Sequence, residues 1–231
     1  MNGPVTTFGS NKKEWAWSYS KLKNYEVCPK RHFHYDIAKD VKEPESEQLK
    51  DGNFIHEKLA ERIGKNTPLP SQLVHLEPWA DKILTGGGKV SVELKFAIAR
   101  DFSPVSWFDK HAWYRGIADV LKLYGPVALA IDWKTGKIVE DSVQLALMAQ
   151  CVFSHHPEVQ KIRTEFVWLA EDATTRQDFA RTDMPGFWAG IMQRVNQLED
   201  ANKTMTFPPK PGRLCKRWCA ITACPYHGTS Q

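Results

Sequence analysis

The chain has 231 residues, enough for one hydrophobic core, and its 42% hydrophobic and 25% charged residues exclude a disordered or fibrous chain. Its 31 Lys+Arg against 27 Asp+Glu give a net charge of +4, a balance that suits a polyanionic partner as well as it suits an ordinary basic enzyme. No apolar run reaches the ~18 residues of a membrane helix, and MNGPVTTFGSNKKEW lacks the apolar core of a secretory signal. The expectation is therefore an intracellular protein with no membrane partner. In that compartment five cysteines read as thiols or metal ligands before disulfides.

Residues 1–14 are polar and read as a flexible N-terminus. Ser20 is placed to cap a short helix that carries Leu22 and Tyr25 and ends at Cys28-Pro29. A second helix is predicted over 46–64, with Leu49, Ile55, Leu59 and Ile63 as its apolar stripe. Residues 65–75, with their prolines, read as loop, and Gly86-Gly87-Gly88 is a break. Beyond it the period falls to two: Val90, Val92, Leu94, Phe96 and Ile98 face one way, and Ser91, Glu93, Lys95 and Ala97 the other. Strands follow at 112–123 and 127–134 around Tyr124-Gly125-Pro126, then a helix at 142–154 and a strand at 161–169. A last helix at 185–203 carries Phe187, Ile191, Val195 and Leu198 on one face, and a Pro-rich turn leads to a Cys-rich tail over 205–231. Helices on both sides of a short mixed sheet make this an α/β fold, read as a single domain over 1–231.

The segment WYRGIADVLKLYGPVALAIDWKTGK is the most informative. A symmetric hairpin about Gly125-Pro126 sets Asp119 opposite Asp132 on one face, with Cβ atoms about 5 Å apart. Like charges so placed are destabilising unless compensated, and a divalent cation is the simplest compensation. Lys134 lies two residues beyond Asp132 and shares its face. Ala128 and Ala130, also on that face, read as leaving room for a substrate, and Gly116 as opening space nearby. Two carboxylates, a cation and a lysine that orients water or meets charge on phosphate form a hydrolytic set. A solvated sheet face with incidental charges is the alternative.

These residues resemble the RecB-like branch of the PD-(D/E)XK nuclease superfamily. The resemblance runs in order through Tyr19-Ser20-x-Leu22-x-x-Tyr25-x-x-Cys28-Pro29-x-Arg31-x-x-x-Tyr35, Gly52-x-x-x-His56-x-x-Leu59, Gly116-x-x-Asp119-Val120, Asp132-Trp133-Lys134-Thr135-Gly136-Lys137 and Gln144-Leu145. It implies a restriction-endonuclease-like core, with His56, Asp119, Asp132 and the Trp133 carbonyl as ligands of Mg2+ or Mn2+. It makes Lys134 catalytic and puts Gln144 against Lys134 or the DNA backbone. Glu93 is an accessory that holds a water on the metal; an exposed edge glutamate is its plain alternative. His56, taken alone, reads as a packed or surface histidine. Two departures stand out: Ala118 precedes Asp119 where proline is common, and Met148 stands where the helix motif ends in tyrosine.

Cys215-x3-Cys219-x4-Cys224 with Cys28 resembles the cysteine set of the CRISPR-associated iron–sulfur exonucleases of that branch. The resemblance implies a [4Fe–4S] cluster on these four, with the middle tail cysteine displaced by one position. Zinc, with His227 as a further ligand, and unmetallated thiols are the alternatives. Such a centre joins the Cys28 region to the tail. It sets Lys30 and Arg31 near Lys216 and Arg217, as a patch for a DNA backbone or as ordinary solvated charges. Cys151, on an apolar helix face, reads as core. The function implied is a metal-dependent deoxyribonuclease, an exonuclease of recombination or repair, bacterial or phage-encoded and cytoplasmic in a bacterial cell or a phage-infected host, acting on DNA ends beside a helicase or recombinase. A structure-selective endonuclease and a non-catalytic DNA-binding module with a structural metal are the alternatives.

Overall fold

The computed structural model describes residues 15–42, 46–139 and 141–229, so the expectation for residues 1–14 lies outside the described residues. Six strands form one mixed sheet in the order β2-β1-β3-β4-β5-β6. They are β1 (Lys89–Ile98), β2 (Pro104–Val105), β3 (Tyr114–Tyr124), β4 (Val127–Lys134), β5 (Lys161–Trp168) and β6 (Ala173–Ala180). Only β4 and β5 run parallel, and the crossover that parallel strands require is α5 (Ser142–His155).

Two apolar clusters lie on opposite faces of the sheet. On one face α3 (Glu47–Lys65) and α4 (Glu77–Leu84) bring Leu59, Ile63, Ala80 and Ile83 onto Val120, Ile131, Trp133 and Val167. On the other, α1 (Tyr19–Val27), α5 and α6 (Met184–Thr204) cover Phe96, Leu121, Ala130 and Phe166. Helix α5 is apolar all round because it lies between the sheet and α6, with Leu145 through Phe153 buried. Trp17, Trp113 and Trp188 pack edge-on or tilted in this second core, with ring centroids 5.4–6.4 Å apart, so they fill volume.

Several expectations change. Ser18, not Ser20, caps α1, its Oγ accepting from the Lys21 N–H. Leu49 stands 46% exposed, outside the stripe assigned to it, because α3 meets the sheet only from Gly52 onward. The loop expected at 65–75 gives way to a 3-10 turn at Ser71–Leu76 that runs into α4. Ala128 and Ala130 leave no room for a substrate, since they lie in the core that α5 fills.

The sides of β1 also differ from a simple alternation. Val90 and Val92 pack with the α3/α4 cluster, whereas Leu94 packs with the opposite cluster, which holds Phe96 and Ile98. The change occurs at Glu93, whose φ is +51°. A residue in that left-handed region reverses the pleat, so the side chains beyond it exchange faces. The β1–β3 register continues unshifted, from Val92 opposite Val120 to Leu94 opposite Ala118, with the Glu93–Asp119 position unpaired between them.

Candidate active site

The β3–β4 hairpin pairs Tyr124 with Val127 and ends its ladder at Val120 opposite Ile131, one position short of Asp119 and Asp132. Freed from the ladder, the Asp119 carboxylate turns to the backbone: its Oδ2 accepts from the Trp133 N–H at 2.7 Å. Its Oδ1 lies 3.4 Å from His56 Nδ1. Helix α3 comes close enough for this contact because two of its sheet-facing positions are glycine. A Cβ at Gly52 would stand 3.0 Å from Thr135 Oγ1, and one at Gly64 would stand 2.8 Å from Val92 Cγ2.

His56, Glu93 and Asp119 bring ligand atoms within 4.8 Å of one another, the one such group among the described residues. Asp132 stands outside that trio. Its Oδ2 is 2.6 Å from Lys134 Nζ and its Oδ1 accepts from Gln144 Nε2 at 2.8 Å. Lys134 Nζ also donates to Gln144 Oε1 at 3.1 Å and lies 4.6 Å from the centre of the Phe166 ring. Gln144, in the first turn of α5, thus holds both the acid and the lysine. Trp133, between them, sends its ring into the α3/α4 core.

The electrostatics carry one theme, an excess of negative charge. Burial is the main reason that the Asp132 carboxyl is pushed up to about 6; Asp119 adds to it, and Lys134 pulls the other way. Glu93 is raised by burial and by Asp119. Burial works against a protonated His56, yet Asp119, Asp132 and Glu93 outweigh it and raise the imidazole. Asp119 thus disfavours the charged forms of Asp132 and Glu93, and a cation between them would relieve both.

Asp119, Asp132, Lys134, Gln144 and Glu93 line one cleft of about 650 Å3 with Tyr19, Lys21, Trp107, Tyr114, Arg115 and Met148. Met148 belongs to the core and forms part of the cleft wall. Gly116 also borders the cleft, but the Tyr114 hydroxyl lies 3.1 Å from where its Cβ would be, so the ring takes part of the space expected there. Sequence reasoning missed Trp107 and Arg115, which carry no motif and reach the cleft only through the β1–β3 fold. Cys151 is buried in α5.

Cys28, Cys215, Cys219 and Cys224 line a separate cavity of about 260 Å3 together with Lys30, Arg31 and Lys210. The Lys210 N–H donates to Cys28 Sγ at 3.3 Å, and Lys210 Nζ donates to the Glu26 carbonyl at 2.7 Å, which ties the tail to the end of α1. All four are free thiols. Lys216 and Arg217 belong to the short α7 (Leu214–Arg217) and are exposed, whereas Lys30 and Arg31 are half-buried and the Arg31 guanidinium lies over Tyr35. His227 is exposed and outside the cavity lining.

A mixed sheet with an acid at the open end of each hairpin strand, a lysine two residues beyond the second acid and a histidine from the covering helix defines a restriction-endonuclease-like fold. The chain belongs to the PD-(D/E)XK nuclease superfamily, whose family description matches residues 16–227. Among solved structures it is similar to a protein from Eubacterium rectale provisionally named an exonuclease, at 12% identity and a TM-score of 0.54, over 93% of this chain and 91% of that one. It is also similar to the protein SSO0001, at 13% identity and a TM-score of 0.45, over 97% of this chain and 91% of that one. Comparison with curated proteins finds no match. Among the described residues no helix is long and apolar enough to cross a membrane.

Proposed function

We propose that the chain is a deoxyribonuclease dependent on Mg2+ or Mn2+ that hydrolyses phosphodiester bonds at DNA ends. The observation that carries this reading is the convergence of His56, Glu93 and Asp119, with Asp132 and Lys134 held beside them by Gln144. The donor set fits a hard divalent cation: carboxylate oxygens and one imidazole converging at one place. His56, Asp119, Asp132 and the Trp133 carbonyl are the proposed ligands, with Glu93 joining them directly or through water. A cation so held supplies Lewis-acid polarisation of the phosphate and a more acidic water. Lys134 stabilises negative charge growing on the phosphate or orients the attacking water. Gln144 keeps Lys134 aimed, and the Trp133 N–H fixes the Asp119 carboxylate in one orientation.

The E. rectale protein's name supports exonuclease action over an endonuclease, and the RecB-like motifs support work in recombination or repair beside a helicase or recombinase. The test is digestion of end-labelled linear DNA and of a closed circle with Mg2+ or Mn2+. The expected result is cleavage of the linear form alone, lost by about 100-fold or more in Lys134→Ala with the fold retained. Cleavage by Lys134→Ala at the wild-type rate would remove the lysine from the chemistry, and DNA binding without any cleavage would favour a non-catalytic module.

Cys28, Cys215, Cys219 and Cys224 are proposed to hold a [4Fe–4S] cluster that joins the tail to the body. One observation supports a shared centre: all four thiols line one cavity. Lys30, Arg31, Lys216 and Arg217 flank the centre as a proposed contact for the DNA backbone. Anaerobically purified protein should be brown and contain iron; a colourless protein with stoichiometric zinc would overturn the cluster.

A further inference from the structure

The turn between β2 and β3 carries two aromatic side chains, Trp107 and Phe108, and the first borders the acidic cleft. Trp107 lines the same cleft as Asp119, Asp132 and Lys134. Two cations lie over its ring, Lys95 with Nζ 5.8 Å from the ring centre and Arg115 with its guanidinium 5.5 Å away. The Arg115 Nε is buried with no hydrogen-bond partner. The next residue, Phe108, is 81% exposed, more than any other large apolar side chain among the described residues. Its turn is pinned: the Asp109 N–H donates to the Ser106 carbonyl at 3.0 Å, the Ala112 N–H to the Asp109 carbonyl at 3.2 Å and the His111 N–H to Asp109 Oδ1 at 2.8 Å.

The reversal at Glu93 is what assembles this patch. Beyond it Lys95 stands opposite Ile117, and Ile117 shares the face of Arg115 two residues earlier on β3. On that face Ile117 is exposed. An exposed ring on a hydrogen-bonded turn, preceded by a ring that borders the acids and lies under two cations, matches the two demands of an unpaired nucleotide. The base needs a flat apolar partner, and its phosphates need positive charge.

We propose that Phe108 and Trp107 form a stacking lip for an unpaired nucleobase of the strand being cut, with Lys95 and Arg115 contacting its phosphates. This rests on the nuclease reading and adds the residues that would select an unpaired strand. The lip holds the base outside the cleft while the adjoining phosphate reaches Asp119 and Asp132.

The test is fluorescence anisotropy in EDTA, so that nothing is cut, with an end-labelled oligothymidylate and an abasic strand of equal length. The wild-type chain should bind the thymidylate tighter by about 5- to 100-fold. Phe108→Ala should lose most of that difference while its melting temperature stays unchanged, since the ring is solvent-exposed. Lys95→Ala and Arg115→Ala should weaken both strands equally and flatten the salt dependence. Equal wild-type binding of the two strands, or an unchanged thymidylate affinity in Phe108→Ala, would overturn the lip. Adding Mn2+ separates the two readings. Base-dependent binding without cleavage keeps the lip and sinks the nuclease, whereas equal binding and cleavage of both strands does the reverse.

Discussion

Asp132 carries the sharpest consequence at the scale of single residues. Its folded carboxyl stands at about 6, above the ordinary 3.8, chiefly through burial. A carboxyl raised on folding stabilises most below about pH 4, and that contribution is lost as the pH climbs through 6. His56 is raised as well, despite its burial, so its contribution is likewise lost as the pH rises through its folded value. At neutral pH the metal-free site therefore holds charges that disfavour the fold, and a bound cation offsets them. Mn2+ should raise the melting temperature by about 4–8 °C near pH 7.5 and by much less near pH 5, read by scanning fluorimetry. Equal shifts at both pH values would contradict the arrangement. Asp132→Asn should melt higher than the wild type in EDTA at neutral pH, while losing both the metal shift and DNA cleavage.

At the scale of elements, β1 shows where the sequence was legible and where it was not. The hairpin register about Gly125-Pro126 follows from symmetry, and the structure pairs Tyr124 with Val127 and Val120 with Ile131 accordingly. The alternation of β1 did not follow, because a left-handed glutamate leaves no mark in a pattern of apolar residues. Glu93→Gly should keep the reversed backbone. Glu93→Val places a β-branched residue at positive φ and should unfold more easily than Glu93→Gly, by about 1–3 kcal/mol in chemical denaturation. Equal stabilities would mean that the reversal does not depend on that φ. Helix α4 was hidden for a different reason. It is short, Pro78 in its first turn resembles a break, and its C-terminal carbonyls are met from far along the chain. Lys122 is 1% exposed and donates its Nζ to the Ile83 carbonyl at 2.5 Å and to the Thr85 carbonyl. Strand β6 lacks an apolar alternation because it is a charged edge, with Asp178 held by Arg163 of β5.

For the whole molecule, the candidate site was legible as a set of residue types and less so as a geometry. His56, Asp119, Asp132, Lys134 and Gln144 were all named from their motifs. The sequence did not show that Glu93 joins His56 and Asp119 within 4.8 Å, because that depends on how far α3 sinks onto the sheet at Gly52 and Gly64. The cysteines join residues from opposite ends of the chain around one cavity, so a centre there acts on the whole fold. Cys28→Ser should lower the melting temperature of anaerobic protein by several degrees while leaving the Mn2+ shift intact, since the two sites share no lining residue. A Cys28→Ser protein that melts like the wild type would show that the tail is not tied down by a cluster.

The most direct measurement is anomalous diffraction at the manganese edge from crystals grown with Mn2+. A peak is expected within coordination distance of His56, Asp119 and Asp132, with Glu93 bordering it. A peak elsewhere, or none at saturating Mn2+, would contradict the claim that these side chains converge to hold a cation.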